Sequence, residues 1–214
     1  MRVVLIVAKQ LALAKTRLGP ALAAGERAML AEAMFRDVLA AALSSRIPDR
    51  VVVVTSDASL LRIAREAGAG AIDEQFPRGL NAAVALATKE LAARGAGTVC
   101  TVLSDIPLIT GEDIDAVLEA AADRRGVVLV PSRDLTGTNV IARSPADVIP
   151  TRFGRSSLMH HLEYCRKGGI GVQVLRLARP ALDLDLVEDL AEYARVASTT
   201  HTLNQLARLG IAQY

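Results

Sequence analysis

Short runs of apolar, β-branched residues recur along the chain, and segments of helical character alternate with them. The clearest runs are R-V-V-L-I-V at 2–7, R-V-V-V-V at 50–54, T-V-C-T-V-L at 98–103 and G-V-V-L-V-P at 126–131. Runs of this kind are typical of strands that are buried on both faces. The alternation predicts a single α/β domain over 1–214, with a mainly parallel sheet and helices on both of its faces.

Composition excludes several classes of function. The chain of 214 residues has no Trp and only three Phe and three Tyr, which disfavours a base-stacking platform for single-stranded nucleic acid. Basic residues exceed acidic ones only by 25 to 23, which creates no basic face by itself. No apolar run has the length of a signal peptide or a transmembrane helix. The distant Cys100 and Cys165 form no metal or redox motif. We therefore expect a cytoplasmic protein without nucleic-acid or membrane partners.

The run at 98–103 ends at Ser104 and Asp105, and Pro107 prevents it from continuing as a strand. Asp105 is therefore expected at the carboxyl end of a central strand, the edge where ligands bind in open α/β sheets. A carboxylate there can hold a divalent metal against the phosphates of a nucleotide. A plain turn beside a helix cap would explain the same residues.

A long connection over residues 8–25 separates the first strand from the helical segment 26–43. Connections of this type are normally only a few residues long, and longer ones tend to be functional. Lys9, Lys15 and Arg17 lie on it without an acidic residue nearby in the sequence. The connection is either a solvated, mobile loop or a segment that binds phosphates.

Two polar segments stand out in the second half. Asp183 and Asp185 alternate with leucines in a strand-like stretch, which predicts that both carboxylates lie on one face and repel unless a cation separates them. The basic segment 151–157 precedes a helix and is either an anion site or an ordinary serine cap. His160 and His161 follow one turn later without metal-binding spacing, so packing or surface roles are favoured.

Two further residues have alternative interpretations. Asp57 either caps the helix predicted at 59–67, the favoured reading, or lies at the ligand edge. Gly79 and Asn81 open a helix that reaches about residue 93, where they either contact a ligand or cap the helix.

Three well-known motifs are absent from the sequence: GxxxxGK[ST], a GxGxxG after the first strand, and G-x-S-x-G. What remains is a cationic loop, Asp105, and the pair Asp183 and Asp185. This combination suits phosphoryl chemistry in which cations bind a triphosphate and carboxylates hold Mg²⁺.

Taken together, these segments resemble the 2-phospho-L-lactate guanylyltransferase family of coenzyme F-420 biosynthesis. The resemblance covers nearly the whole chain and depends on the order and spacing of six pieces. They are Lys9 with Ala14-Lys15-Thr16-Arg17-Leu18, Gly79-Leu80-Asn81, Ser104-Asp105-Ile106-Pro107-Leu108, Gly137-Thr138-Asn139, Phe153-Gly154-Arg155-Ser156-Ser157 with His161, and Asp183-Leu184-Asp185. The family usually has a proline before the first lysine of the loop, where this chain has Val7-Ala8.

The resemblance implies a nucleotidyltransferase-like (Rossmann-like) fold that joins GMP from GTP to a small phosphorylated three-carbon acid and releases pyrophosphate. The acid is 2-phospho-L-lactate, phosphoenolpyruvate or 3-phosphoglycerate. We place a nucleotide-binding half at about 1–125 and an acceptor-binding half at about 126–214.

Site roles follow from the resemblance residue by residue. The implied nucleotide-binding residues are Lys9, Lys15, Arg17, Gly79 and Asn81, and the implied acceptor-binding residues are Thr138, Gly154 and Ser157. The implied Mg²⁺ ligands are Asp105 and Asp183 or Asp185, and the implied catalytic residues are Asp105, Lys9 and Lys15.

Two alternatives remain open. The first is guanylyl or cytidylyl transfer to another phosphorylated acceptor, such as a molybdopterin. The second is a non-catalytic GTP-binding module, which would bind GTP without releasing pyrophosphate. The three aspartates favour an enzyme, because simple binding rarely needs so costly an acidic cluster. A homo-oligomer is compatible with the sequence, which does not indicate the oligomeric state.

Overall fold

A seven-stranded sheet forms the centre of the computed structural model, which describes residues 1–122 and 125–211. The strands are β1 (Arg2–Val7), β2 (Arg50–Thr55), β3 (Gly70–Asp73), β4 (Thr98–Leu103), β5 (Gly126–Pro131), β6 (Thr138–Ser144) and β7 (Gly171–Val174). Their order across the sheet is β3-β2-β1-β4-β6-β5-β7. Strands from both predicted halves therefore share one sheet.

Strand β6 runs opposite to the other described strands. It pairs antiparallel with β4 and with β5, whereas β1, β2, β3 and β4 pair in parallel and β7 is parallel to β5. The mainly parallel sheet is confirmed. The reversal follows from the short polar connection 132–137 between β5 and β6, because an antiparallel pair needs only a turn whereas a parallel pair needs a crossover. The reversal places Thr138, the first residue of β6, at the edge where β4 ends.

Helices cover both faces of the sheet, as predicted. They are α1 (Ala24–Ser44), α2 (Ala58–Glu66), α3 (Leu80–Ala93), α4 (Gly111–Ala120), α5 (Ser157–Gly168), α6 (Ala178–Ala181), α7 (Val187–Val196) and α8 (His201–Arg208). Successive strand residues point to opposite faces: Val4 and Ile6 pack with α1, α2 and α4, whereas Val3 and Leu5 pack with α3 and α5. None of these helices has the length and apolarity required to cross a bilayer.

A third apolar cluster attaches the loop after β1 and the C-terminal helices to α1. Leu18 of the loop is fully buried there with Leu30 of α1 and Tyr193 of α7. The C-terminal helix α8 begins with Thr200 as its N-cap, whose side chain accepts the Leu203 N–H. The predicted domain extends over residues 123–124 and 212–214, which lie outside the described ranges.

The stretch that contains Asp183 and Asp185 is not a strand of the sheet, so the strand-like interpretation is wrong in that respect. It is joined to the end of β4 by a hydrogen bond in which the Leu184 N–H donates to the Asp105 carbonyl oxygen, at 3.1 Å. Leu182 and Leu184 are buried in the third cluster, while both aspartates line a cavity, so the alternation orients the side chains as expected.

Candidate active site

A cavity of about 800 Å³ opens at the carboxyl ends of β1 and β4, the edge predicted for a ligand. Most residues with a predicted role line it: Lys9, Lys15, Arg17, Asp105, Thr138, Gly154, Ser157, Asp183 and Asp185. Within the described chain, Gly79 and Asn81 are not part of the lining, although Leu80 between them is. Residues from both halves of the sequence thus meet in one cavity.

The ammonium group of Lys15 lies between two carboxylates. Its Nζ is 2.8 Å from Asp105 Oδ2 and 2.9 Å from Asp185 Oδ1, and only 6% of the Lys15 side chain is exposed. Burial alone would lower the pKa of Lys15, but Asp105 and Asp185 outweigh burial and raise it. Arg17, on the open side, donates to Asp185 Oδ2 at 3.2 Å. Lys15 is therefore charged and separates Asp105 from Asp185, whereas the pair for which the sequence predicted a separating cation is Asp183 and Asp185.

Local backbone geometry explains how a loop residue reaches this position. Lys15 adopts a left-handed conformation (φ 50°) between two short 3-10 turns, Leu11–Leu13 and Thr16–Leu18. Asp57 anchors the first turn, because its Oδ2 accepts the Leu11 N–H at 2.9 Å. The alternative of a solvated, mobile loop therefore does not describe Leu11, Lys15 and Leu18, which are hydrogen-bonded, ion-paired and buried respectively. The acidic partners of Lys15 are absent nearby in the sequence because they lie 90 and 170 positions further along the chain.

Asp57 also confirms the favoured capping interpretation. Its Oδ1 accepts the backbone N–H groups of Ser59 and Leu60 at the start of α2, at 3.0 and 3.3 Å. The same carboxylate thus caps a helix and anchors the loop that carries Lys15.

Asp183 is the least compensated carboxylate in the cavity. Burial raises its pKa, and the nearby Asp105 and Asp185 raise it further. Its hydrogen-bond partner is the amide of Asn139, with Nδ2 at 3.4 Å from Oδ1. Within residues 1–122 and 125–211, no group of three or more metal-ligating side chains is already arranged around one point. Lys15 occupies the space between two of the predicted ligands.

The segment before α5 and the start of β6 form the other wall of the cavity. Gly154 has φ 115°, a conformation that favours glycine, and Ser156 has φ 58° at the N-cap position of α5. In the described structure the Ser156 side chain makes no cap hydrogen bond, so the ordinary serine-cap interpretation is wrong. Thr138 and Ser157 are almost fully buried at 2% and 1% exposure, and both line the cavity.

Asn81 holds this wall in place. Its Oδ1 accepts the Phe153 N–H at 2.7 Å, and its Nδ2 donates to the Phe153 carbonyl oxygen at 3.0 Å. Both ends of the amide are therefore engaged by the backbone of one residue. The start of α3 is thereby joined to the loop that precedes α5.

Sequence reasoning assigned no role to the buried polar residues Asn139 and Arg143, whereas the packing role favoured for His161 is confirmed by its burial. Asn139 donates to the carbonyl oxygens of Pro180 and Ala181 as well as to Asp183. Arg143 of β6 is 3% exposed and donates to Thr88 Oγ1 and to the Ile149 carbonyl oxygen. His161 is fully buried against Thr138. Asn139 and Arg143 flank an apolar strand pattern, N-V-I-A-R at 139–143. Polar residues in such a strand must find hydrogen-bond partners when buried, and this signal could have indicated their structural roles.

Known proteins with similar sequences are guanylyltransferases. The phosphoenolpyruvate guanylyltransferase of Sphaerobacter thermophilus is 37% identical over 192 residues, which cover 90% of this chain and 92% of the relative. The 2-phospho-L-lactate guanylyltransferase of Methanothermobacter thermautotrophicus is 35% identical, with 92% and 85% covered. The 3-phospho-D-glycerate guanylyltransferase of Phenylobacterium zucineum is 34% identical, with 92% and 91% covered.

Solved structures share the fold. A Desulfovibrio desulfuricans protein described as a nucleotide-diphospho-sugar transferase matches with a TM-score of 0.79 at 21% identity, covering 100% of this chain and 97% of that one. A nucleotidyl transferase from Methanothermobacter matches with a TM-score of 0.66 at 14% identity, covering 92% and 95%. The predicted nucleotidyltransferase-like fold is therefore confirmed. The family model described as guanylyl transferase CofC like matches residues 1–213, and the chain belongs to that family.

Proposed function

We propose that this protein transfers GMP from GTP to a small phosphorylated three-carbon acid and releases pyrophosphate, as a step of coenzyme F-420 biosynthesis. One observation carries the proposal: cationic, acidic and hydroxyl-bearing side chains from both halves of the chain line one cavity of about 800 Å³. The names of the relatives support the same reaction, since each is a guanylyltransferase for a phosphorylated three-carbon acid.

The cations on the loop after β1 suit the triphosphate of GTP. Lys9 is exposed at the cavity, and Arg17 is 72% exposed. Among the described residues Lys9 has no ion-pair partner, and Arg17 forms an ion pair with Asp185. Both can therefore turn toward phosphate oxygens without breaking a buried ion pair. We propose that Lys9, Lys15 and Arg17 bind the phosphates, and that Gly79 and Asn81 contribute to the nucleoside side through the start of α3.

The opposite wall suits the acceptor acid. Thr138 and Ser157 offer hydroxyl groups, and Gly154 exposes backbone in a conformation that an L side chain rarely adopts. Arg155 also lines this wall. Hydroxyl, backbone and guanidinium donors together can bind a molecule that carries both a phosphate and a carboxylate.

Mg²⁺ is the cofactor that the donor set fits. Asp105, Asp183 and Asp185 supply hard oxygen ligands, and Asp105 Oδ1 is a buried acceptor without a hydrogen-bond partner in the described structure. When bound by these carboxylates, Mg²⁺ would neutralise negative charge on the phosphate groups of the substrates. We propose Asp105 as a ligand together with Asp183 or Asp185.

The reaction needs positioning more than proton transfer. A phosphate oxygen of the acceptor attacks the α-phosphorus of GTP, a new O–P bond forms, and the bond to the β-phosphate oxygen breaks to release pyrophosphate. The attacking oxygen is already anionic at neutral pH, so no general base is required. Lys9, Lys15 and Arg17 stabilise the charge that develops on the leaving pyrophosphate.

A pyrophosphate-release assay tests the proposal. The purified protein is incubated with GTP, Mg²⁺ and each of 2-phospho-L-lactate, phosphoenolpyruvate and 3-phosphoglycerate, and product masses are recorded. We expect a GMP adduct of at least one acid, and we expect Asp105→Asn to abolish its formation without unfolding the protein. Asp147→Asn is the matched control, because Asp147 is exposed and lies outside the cavity.

Parallel reactions with CTP and ATP test the choice of nucleotide. Product formation with CTP alone would overturn the GTP assignment. Tight GTP binding without pyrophosphate release for any acceptor would overturn the catalytic proposal in favour of a nucleotide-binding module. Near-normal turnover by Asp105→Asn would contradict the metal-ligand role of that residue.

A further inference from the structure

The imidazole ring of His161 is fully buried and hydrogen-bonded at both nitrogens. Its Nε2 lies 2.9 Å from the backbone nitrogen of Arg152, and its Nδ1 lies 3.1 Å from Thr138 Oγ1. Burial, aided by Arg143 and His160, lowers the pKa of His161 to about 4, so the ring is neutral at pH 7. A neutral imidazole carries one N–H, and its position decides which neighbour donates and which accepts.

The backbone of Arg152 determines that position. A peptide N–H can only donate, so Nε2 must be the unprotonated, accepting nitrogen. The ring proton therefore lies on Nδ1 and is donated to Thr138 Oγ1. The opposite polarity, in which Thr138 donates to Nδ1, would leave both ring nitrogens unprotonated. A flipped ring would place carbon atoms against both partners and lose both hydrogen bonds.

The consequence falls on the Thr138 hydroxyl group. Its oxygen accepts from His161, and within residues 1–122 and 125–211 no other hydrogen-bond partner contacts it. The hydroxyl hydrogen of Thr138 is thus free to be donated to another group. Because Thr138 lines the cavity, that group can be a ligand bound there. We infer that His161 is a positioning residue that orients the Thr138 hydroxyl hydrogen toward an anionic oxygen of the acceptor acid; the inference rests on the function proposed above.

Further contacts hold the ring in this orientation. The rings of His161 and Phe153 pack in a T-shaped arrangement, with centroids 5.6 Å apart and planes at 78°. Phe153 is in turn held by both ends of the Asn81 amide. Asn81 at the start of α3 therefore helps to position the Arg152 N–H that selects the His161 tautomer. This chain of contacts links the nucleotide-side helix to an acceptor-side hydroxyl.

The tautomer is directly measurable without substrate. The chain contains three histidines, so the ring ¹⁵N signals of the labelled protein can be assigned by comparison with a His160→Asn and a His161→Asn variant. At pH 7 we expect His161 to carry its proton on Nδ1 and none on Nε2. A ring protonated on Nε2, or on both nitrogens, would overturn the inference whatever the protein's substrate is.

A double-mutant cycle measures the functional link. Thr138→Val should weaken acceptor binding by about ten- to a hundredfold, the usual loss for one hydrogen bond to a charged group, while leaving GTP affinity unchanged. His161→Leu should weaken acceptor binding in the Thr138 background by about tenfold but have little effect in the Thr138→Val background. His161→Asn, whose amide nitrogen can replace Nδ1 as the donor, should retain most of the affinity.

The controls separate positioning from general damage. His160→Leu, on the same helix, should leave acceptor affinity within about twofold of wild type. Additive losses in the cycle, or equal losses of GTP and acceptor affinity, would refute the positioning role. If His161→Leu does not fold, His161→Asn and the tautomer measurement still decide the matter. A wild-type protein that binds no acceptor would refute the proposed function, whereas a wrong tautomer would refute this inference alone.

Discussion

Replacing Lys15 by methionine removes the cation that separates two carboxylates while keeping the length of the side chain. Nζ contacts Asp105 and Asp185 at 2.8 and 2.9 Å. At an effective dielectric constant of about 20, each contact attracts by roughly 5 to 6 kcal/mol before desolvation is subtracted. Breaking a buried ion pair by deleting one partner costs about 3 to 5 kcal/mol.

Solvent reduces this cost, because the side chains of Asp105 and Asp185 are 28% and 35% exposed. We therefore expect Lys15→Met to lower the free energy of unfolding by about 2 to 3 kcal/mol at pH 7 in a metal chelator. For a chain of this size, the melting temperature should fall by roughly 4 to 12 °C. Urea denaturation and a thermal scan measure the two quantities.

Lys9→Met is the matched control, because Lys9 is exposed and lacks an ion-pair partner within the described residues. Its stability should change by no more than about 0.5 kcal/mol. Adding Asp185→Asn to Lys15→Met should recover part of the loss, since one of the two repelling carboxylates becomes neutral. Equal stability of Lys15→Met and Lys9→Met would refute the view that Lys15 holds Asp105 and Asp185 together. A double variant no more stable than Lys15→Met would refute it as well.

Three more predictions concern stability and its link to function. Asp183→Asn should raise the free energy of unfolding by about 1 kcal/mol at pH 7 in chelator, because burial and neighbouring carboxylates raise the pKa of Asp183 and its charge therefore destabilises the fold. The same variant should lower pyrophosphate release, because it removes a proposed metal ligand. Urea denaturation checks the first effect and the release assay checks the second. The pKa of His161 is lowered from 6.5 to about 4, so on acidification the unfolded chain binds this proton before the folded protein does. The free energy of unfolding should therefore decrease by about 3 kcal/mol between pH 6.5 and pH 4, and it should decrease less in His161→Asn. Urea denaturation at a series of pH values across that range measures both. Asp57→Ala should lower the free energy of unfolding by about 1 to 2 kcal/mol, because it removes the N-cap of α2. It should also raise KM for GTP, because the Leu11 N–H loses its acceptor and the loop that carries Lys15 loses an anchor. An unchanged KM would contradict the anchoring role.

Much of the fold could be predicted because local patterns specify it. β1 and β5 have the predicted bounds, since a continuous run of apolar, β-branched residues is typical of a buried strand. The direction of β6 was not predicted, although the six-residue connection 132–137 is too short for a helical crossover. Strand direction is a property of the pairing, and a strand's own residues do not encode it.

Sequence reasoning anticipated that most of the candidate residues would meet in one cavity, but it did not anticipate their contacts. The chemistry of each candidate side chain could be read locally, and the family resemblance added their grouping. The partners of Lys15 could not be read, because Asp105 and Asp185 reach it only through the fold. The hydrogen bonds between Asn81 and the Phe153 backbone could not be predicted for the same reason, since they join positions 72 residues apart. Contacts between distant segments depend on tertiary packing, which a single sequence does not report.

The reversed strand β6 explains how one cavity can hold both halves of the proposed reaction. In a wholly parallel sheet, only the carboxyl ends of strands reach the ligand edge. Because β6 runs the other way, its first residues reach that edge, beside the end of β4 that carries Asp105. Thr138 faces the cavity there, and Asn139 holds Asp183 and the carbonyl oxygens of Pro180 and Ala181. One strand start therefore contributes the hydroxyl group proposed to bind the acceptor and also positions a carboxylate of the proposed metal site. Attack on an α-phosphorus requires the two substrates to be aligned to within a fraction of an ångström, and placing both groups on adjacent residues of a rigid strand provides that alignment.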